Sequence, residues 1–147
     1  MKRLLIVVFA IAAVPAWADG AAVFDTNCAV CHQGGGVGVQ GQFPRLAGRV
    51  GQIAAKPEGK IYLRKVLLNG MSGHITVDGE KILGIMPAFD SLPDGDIALV
   101  LGYLSGLQHK PVPFTAPEIA AARTQPKIAP TELVVERAKL VAKKVVP

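Results

Sequence analysis

The chain has 147 residues, half of them apolar, with sixteen glycines, eleven prolines, two cysteines and a formal charge of +5. That length allows one small domain with an appendage. A charged fraction of 18% excludes a disordered chain, and the lack of a long Lys/Arg run excludes a nucleic-acid arm.

Met1-Lys2-Arg3 opens with positive charge, Leu4 to Ala18 carries none, and Ala16-Trp17-Ala18 before Asp19 has the form of an export cleavage site. The uncharged stretch, fifteen residues broken by Pro15, is shorter than the roughly 20 residues that span a bilayer. Residues 1–18 are therefore expected to be a cleaved signal peptide, with the mature chain starting at Asp19 in the periplasm. In such a compartment a cysteine pair forms a disulfide by default.

From Ala21 to Cys31 the apolar positions Ala21, Phe24, Cys28 and Cys31 recur at three and four, which predicts a short amphipathic helix. Gly34, Gly35, Gly36, Gly38 and Gly41 then predict a loop. No strand precedes those glycines and no Gly-Lys-Ser/Thr follows, so they do not form a phosphate loop. Pro57 and Glu58 suit the first turn of a second helix with Ile61, Leu63, Val66 and Leu67 as its apolar residues, ending at Asn69-Gly70. Ile75-Thr76-Val77 before Asp78-Gly79 predicts a brief extended turn. Ser91 to Gly95 starts a third helix, with Asp94 and Asp96 at its positive end and Ile97, Val100, Leu101, Leu104 and Leu107 in one stripe. The reading is an all-α domain of three core helices over residues 19–109.

Beyond Leu107, Pro111, Pro113, Pro117, Pro126 and Pro130 mark residues 110–130 as a linker. Within it Thr115-Ala116-Pro117-Glu118 has capping-box form and suggests a short helix over 117–123. Thr131 is placed to cap a terminal amphipathic helix over 131–147, with Val134, Ala138, Val141 and Val145 on one face and Glu132, Glu136, Lys139 and Lys143 on the other. Packing on the core, docking to a partner protein and contact with a membrane surface are its three possible roles.

The string Cys28-Ala29-Val30-Cys31-His32 is the attachment pattern of a c-type haem. Positions i and i+3 share a helix face, so two thiols reach the two vinyl groups on one porphyrin edge. The adjacent histidine can then take an axial iron position. A thioredoxin-type dithiol is disfavoured, since no strand leads into the pair. Zinc would need further ligands, and only His74 and His109 remain as histidines. For the second axial position, Met86 precedes Pro87, which bars a helical conformation and presents the side chain from an extended segment. Met71, directly after a helix end, is the alternative, as are a second histidine or an open position.

Cys28 to His32, Pro44-Arg45-Leu46-Ala47-Gly48, the Gly70–Gly79 loop, Met86-Pro87-Ala88-Phe89 and Tyr103-Leu104 together resemble a class I (monohaem) cytochrome c, over about Gly20 to Leu107. Gly73-His74-Ile75-Thr76-Val77 ahead of Met86-Pro87 is similar to the small bacterial cytochromes that accept electrons from periplasmic dehydrogenases. The resemblance implies one covalent haem c wrapped by the three helices, thioethers at Cys28 and Cys31, and His32 and Met86 as axial ligands. It also implies that the Pro44 carbonyl accepts a hydrogen bond from His32, and that Gly20 and Phe24 cross Val100 and Tyr103. The expected function is single-electron transfer, not catalysis, with a periplasmic dehydrogenase as donor and an oxidase or another cytochrome as acceptor. Permanent residence in a dehydrogenase complex and a sensing haem with an open sixth site are the alternatives.

The charge divides unevenly. Asp19 to His109 holds seven Lys/Arg against eight Asp/Glu, and Lys110 to Pro147 seven against three. The basic total therefore describes a near-neutral domain with a positive tail.

Overall fold

A Cβ on Gly20 would lie 2.5 Å from the Leu99 carbonyl oxygen and 2.8 Å from Tyr103 Cβ. Glycine is thus what lets helix α1 (Ala16–Asn27) cross helix α5 (Asp94–Gly106) at backbone contact. At the same crossing Phe24 is fully buried, Val100 is buried, and the Phe24 and Tyr103 rings sit 5.7 Å apart. This crossing is the frame of the computed structural model, which describes residues 16–147. The expected leader lies outside the described residues up to position 15.

After α1 the chain turns at Cys28 into the short α2 (Ala29–His32) and a 3₁₀ turn at Gly34–Gly36. Helices α3 (Arg49–Ala54) and α4 (Pro57–Asn69) follow. Strands β1 (Met71–Val77) and β2 (Glu80–Met86) then pair antiparallel, with Met71 opposite Met86 and Val77 opposite Glu80. After α5 come α6 (Ala116–Arg123) and α7 (Pro130–Ala142). The described residues thus hold seven helices and one two-stranded sheet.

That sheet corrects the all-α expectation. Where a brief extended turn was expected, a full hairpin closes through Asp78 (φ 52°) and Gly79 (φ 83°), a pair of left-handed residues that matches the right-handed twist of paired strands. Ile75 and Ile82 pair across it, and Val77 and Ile82 are buried. The expected helix over 21–31 is broken at Cys28. Helix α3 was not anticipated, since its six residues hold too little periodicity to register. On α4 the buried set is Tyr62, Leu63, Val66, Leu67 and Leu68, while Ile61 is exposed.

The extension folds onto the domain. Phe114, Ile119, Leu133, Leu140, Val145 and Val146 are all buried. Ser105 Oγ accepts from Val112 N at 2.8 Å, and Lys60 Nζ donates to the Pro113 carbonyl at 2.8 Å. The Glu118 carboxylate accepts from Thr115 N at 2.9 Å, closing the start of α6. On α7 the cap is not Thr131: the helix begins at Pro130, and Glu132 reaches back to Ala129 N at 3.3 Å. Its inward face is Leu133, Arg137 and Leu140, one position out of step with the expected face. A basic residue in the middle of the apolar stripe hid the period.

Leu133 has no exposed surface, whereas Val135 is 56% exposed. Leu133→Ala should cost about 2–5 kcal/mol in denaturant unfolding of the haem-loaded protein. Val135→Ala should stay within about 0.5 kcal/mol of the parent.

Candidate cofactor site

The last turn of α1 hands the chain to the cysteine pair through a 2.8 Å bond from Cys28 N to the Phe24 carbonyl. Because Phe24 is locked in the helix crossing, Cys28 is fixed relative to the core. Its own carbonyl accepts from Cys31 N at 3.2 Å and from His32 N at 2.9 Å. No disulfide joins the two cysteines, of which Cys28 is buried and Cys31 half-buried. Before attachment, burial, with the neighbouring Cys31 adding to it, pushes the Cys28 thiol up to about 11.

His32 is buried, and its Nδ1 lies 2.9 Å from the Pro44 carbonyl oxygen. A carbonyl can only accept, so Nδ1 carries the proton and Nε2 is left with its lone pair. Burial lowers the imidazole's affinity for a second proton, and the bond to Pro44 opposes this in part. The result is a neutral ring with one nitrogen committed and the other basic, which is the state a metal-binding histidine needs.

The glycine-rich loop brings Pro44 into place. The Gly36 carbonyl accepts from both Leu46 N and Ala47 N, at 2.8 and 3.0 Å, and Gly38 N donates to the His32 carbonyl at 2.8 Å. Gly38 has φ 72°, and a Cβ there would meet Phe43 O at 2.5 Å, Arg45 N at 2.7 Å and the Pro44 carbonyl carbon at 2.8 Å. No other residue lets the loop close against Pro44. Next to it, Arg45 Nε donates to Asp78 Oδ2 at 2.9 Å, and Arg49 Nη1 to Asp78 Oδ1 at 2.7 Å. The loop that holds His32 is thereby tied to the closed end of the hairpin.

The open end of that hairpin carries both candidate methionines. Met71 and Met86 are directly opposite and half-buried against the core. Phe89 N donates to the Leu67 carbonyl at 2.7 Å, anchoring the segment after Met86 to α4. Tyr62 Oη donates to Met71 Sδ at 3.4 Å. Burial pushes the Tyr62 hydroxyl up to about 12, against the lowering influence of nearby Arg137, so it remains a donor. His74 lies exposed on β1, in a strand instead of the expected loop, and His109 is exposed after α5. Among the described residues no three His, Cys, Asp or Glu side chains group to hold a metal ion, so the zinc reading finds no ligand set.

Two thiols three residues apart, a neutral imidazole with a bare Nε2 and a methionine on an anchored strand are the chemical types that a haem c takes, and in that sense the residues present fit that group. The Tyr62–Met71 bond and the Arg45–Asp78–Arg49 cluster lie beside these residues, and neither contact is visible in the sequence. An Asp-Gly turn and two arginines four apart are too common to signal a partnership.

The family model described as cytochrome c oxidase, cbb3-type, subunit III matches residues 15–104. The chain belongs to the cytochrome c family, as a monohaem class I member with covalently attached haem c, and is an electron-transfer protein. It is 42% identical over 147 residues to a cytochrome c-552 of Thermus thermophilus, covering 95% of this chain and 98% of that one. A second Thermus thermophilus cytochrome c-552 is 43% identical over 129 residues, covering 84% and 97%. As an electron-transfer protein it works with redox partner proteins, and among the described residues no helix is long and apolar enough to cross a membrane.

The Asp78 carboxyl is held below its ordinary value of 3.8, first by the hydrogen bond from Arg45; burial opposes this as the next largest effect, and the charges of Arg49 and Arg45 and the hydrogen bond from Arg49 outweigh it. A lowered folded-state value means this stabilisation is complete above about pH 4 and is lost as pH falls through the lowered value. Asp78→Asn should therefore reduce stability at pH 7, by about 0.2–1 kcal/mol for each of these part-exposed pairs. The gap between parent and variant should narrow below about pH 4 in urea titrations run across pH.

Proposed function

We propose that the chain is a periplasmic single-electron carrier in which Cys28 and Cys31 hold haem c through thioethers and His32 and Met86 take the two axial positions. The observation that carries this reading is the bond from His32 Nδ1 to the Pro44 carbonyl, which leaves Nε2 as the ring's only free donor atom. When bound, haem c supplies an iron that gains and loses one electron, and a methionine thioether opposite a histidine favours its reduced form. The chain's own work is to hold the two ligands still and keep water away. His32 is buried, and Met86 packs against the core through an anchored strand. With both axial positions filled no substrate can reach the iron, so the protein passes electrons between proteins, from a periplasmic dehydrogenase to an oxidase or another cytochrome. The leader pattern of residues 1–18 supports export.

The terminal helix serves the core in this account. Its Glu136 carboxylate accepts from Lys65 Nζ at 2.9 Å and its Arg137 Nη2 donates to the Thr76 carbonyl at 2.9 Å. Neither a membrane surface nor a partner is needed to explain it. A second reading, a cytochrome held permanently in a larger complex, has one observation in its favour: the matching family model is described by an oxidase subunit. Purification from the native membrane and soluble fractions separates the two, since a carrier runs alone and a subunit runs with its complex.

The ferric protein should show the weak near-red band of sulfur-to-iron charge transfer, and the ferrous protein should bind carbon monoxide slowly at neutral pH. Fast carbon monoxide binding would contradict a methionine in the sixth position. Residues 19–109 are too few to bury a large core without the haem. Cys28→Ala/Cys31→Ala should thus lose the sharp thermal transition followed by circular dichroism.

A further inference from the structure

The hairpin offers two thioethers where one is needed. Met71 and Met86 are cross-strand partners, so their side chains leave the same face of the sheet from backbones only about 4.5–5.5 Å apart. Both are half-buried against the same core. The end of the hairpin they occupy is free of the Arg45 and Arg49 clamp, which grips Asp78 at the other end. A methionine has three rotatable bonds and adapts its reach readily, so backbone position alone does not select one sulfur over the other.

Hydrogen bonding does distinguish them. Met71 Sδ accepts from Tyr62 Oη at 3.4 Å, while Met86 Sδ accepts from no described donor. Tyr62 is 4% exposed, so its hydroxyl has no ready access to water and Met71 is its acceptor. Moving Met71 away would leave a buried hydroxyl unsatisfied, a penalty that biases the choice between the two sulfurs by on the order of tenfold or more. Tyr62 is itself held in place on α4, buried among its neighbours and beside Arg137 of the terminal helix.

We propose that Met71 is a reserve axial ligand for the same iron, kept off it by the Tyr62 hydroxyl, which leaves Met86 as the ligand in the native protein. The inference rests on the reading of Met86 as the sixth ligand. Tyr62 is a positioning residue in this scheme, acting on ligand choice through Met71.

The experiment uses the haem-loaded full chain. Met86→Ala should keep the near-red band within about twofold of its parent intensity, because Met71 replaces the lost sulfur. Met86→Ala/Met71→Leu should lose the band and bind carbon monoxide at least tenfold faster than Met86→Ala. If Met86→Ala already lacks the band and matches the double variant in carbon monoxide rate, the proposal is overturned. A second arm leaves Met86 in place and so does not depend on how the alanine variant folds. Tyr62→Phe frees Met71, and proton spectra of the ferrous form should show two sets of axial methionine methyl signals, collapsing to one in Tyr62→Phe/Met71→Leu. One unchanged set in Tyr62→Phe would also overturn it. Failure of the underlying reading is distinguishable: Met71→Leu alone should keep the near-red band, and loss of the band in that variant, or its absence from the unmutated chain, would mean that Met86 is not the sixth ligand.

Discussion

The site depends on one hydrogen bond, from His32 Nδ1 to the Pro44 carbonyl. It sets the tautomer, the orientation and the charge of a buried imidazole in a single contact, and most of the surrounding structure serves to make it. The helix crossing at Gly20 fixes Phe24, Phe24 fixes Cys28, and the Cys28 carbonyl holds the turn that ends in His32. From the other side, Gly36 and Gly38 fold the loop back so that Pro44 arrives at the ring. Arg45, one residue further, then ties that loop to the hairpin that bears the methionines. The loop that carries Pro44 and the hairpin are thus connected through a charged clamp.

The extension changes how the charge of the chain should be understood. As a sequence it is a positive tail on a near-neutral domain. In the structure its charges are exchanged with the domain. Arg123 pairs with Asp94, Lys127 with Asp90 and Lys143 with Glu58, while its acids Glu118 and Glu136 receive Lys60 and Lys65. Exposed pairs of this kind contribute little stability each, and because they take up three of the tail's bases and two of its acids they leave most of its positive excess in place. The stabilising part is apolar: Ile119 and Leu133 are fully buried, and a domain of this size gains proportionately from every such residue.

Much of this was legible beforehand where one residue type has one physical use. The cysteine pair with its histidine, the proline that extends the chain at Met86 and the helix from Pro57 to Asn69 needed no tertiary information. The hairpin was legible in principle, since Asp78-Gly79 directly after the β-branched run Ile75-Thr76-Val77 is a strong turn signal, but the flanking Gly73 and Gly84 dilute the alternation that would have extended it. The face of α7 was misplaced because Arg137 sits between Leu133 and Leu140, and a buried arginine that donates to a strand carbonyl is invisible to a hydrophobic count. Tyr62 was hidden for a related reason. An aromatic residue on a helix stripe signals packing, and only the fold shows that its hydroxyl meets Met71.

Everything proposed for the iron requires that His32 carry its proton on Nδ1, shared with the Pro44 carbonyl, so that Nε2 is left to the metal. Nitrogen-15 and proton spectra of the reduced haem-loaded protein test this directly. One His32 ring proton is expected, on Nδ1, exchanging slowly with solvent and coupled to the Pro44 carbonyl. A rapidly exchanging ring proton, or one on Nε2, would contradict it.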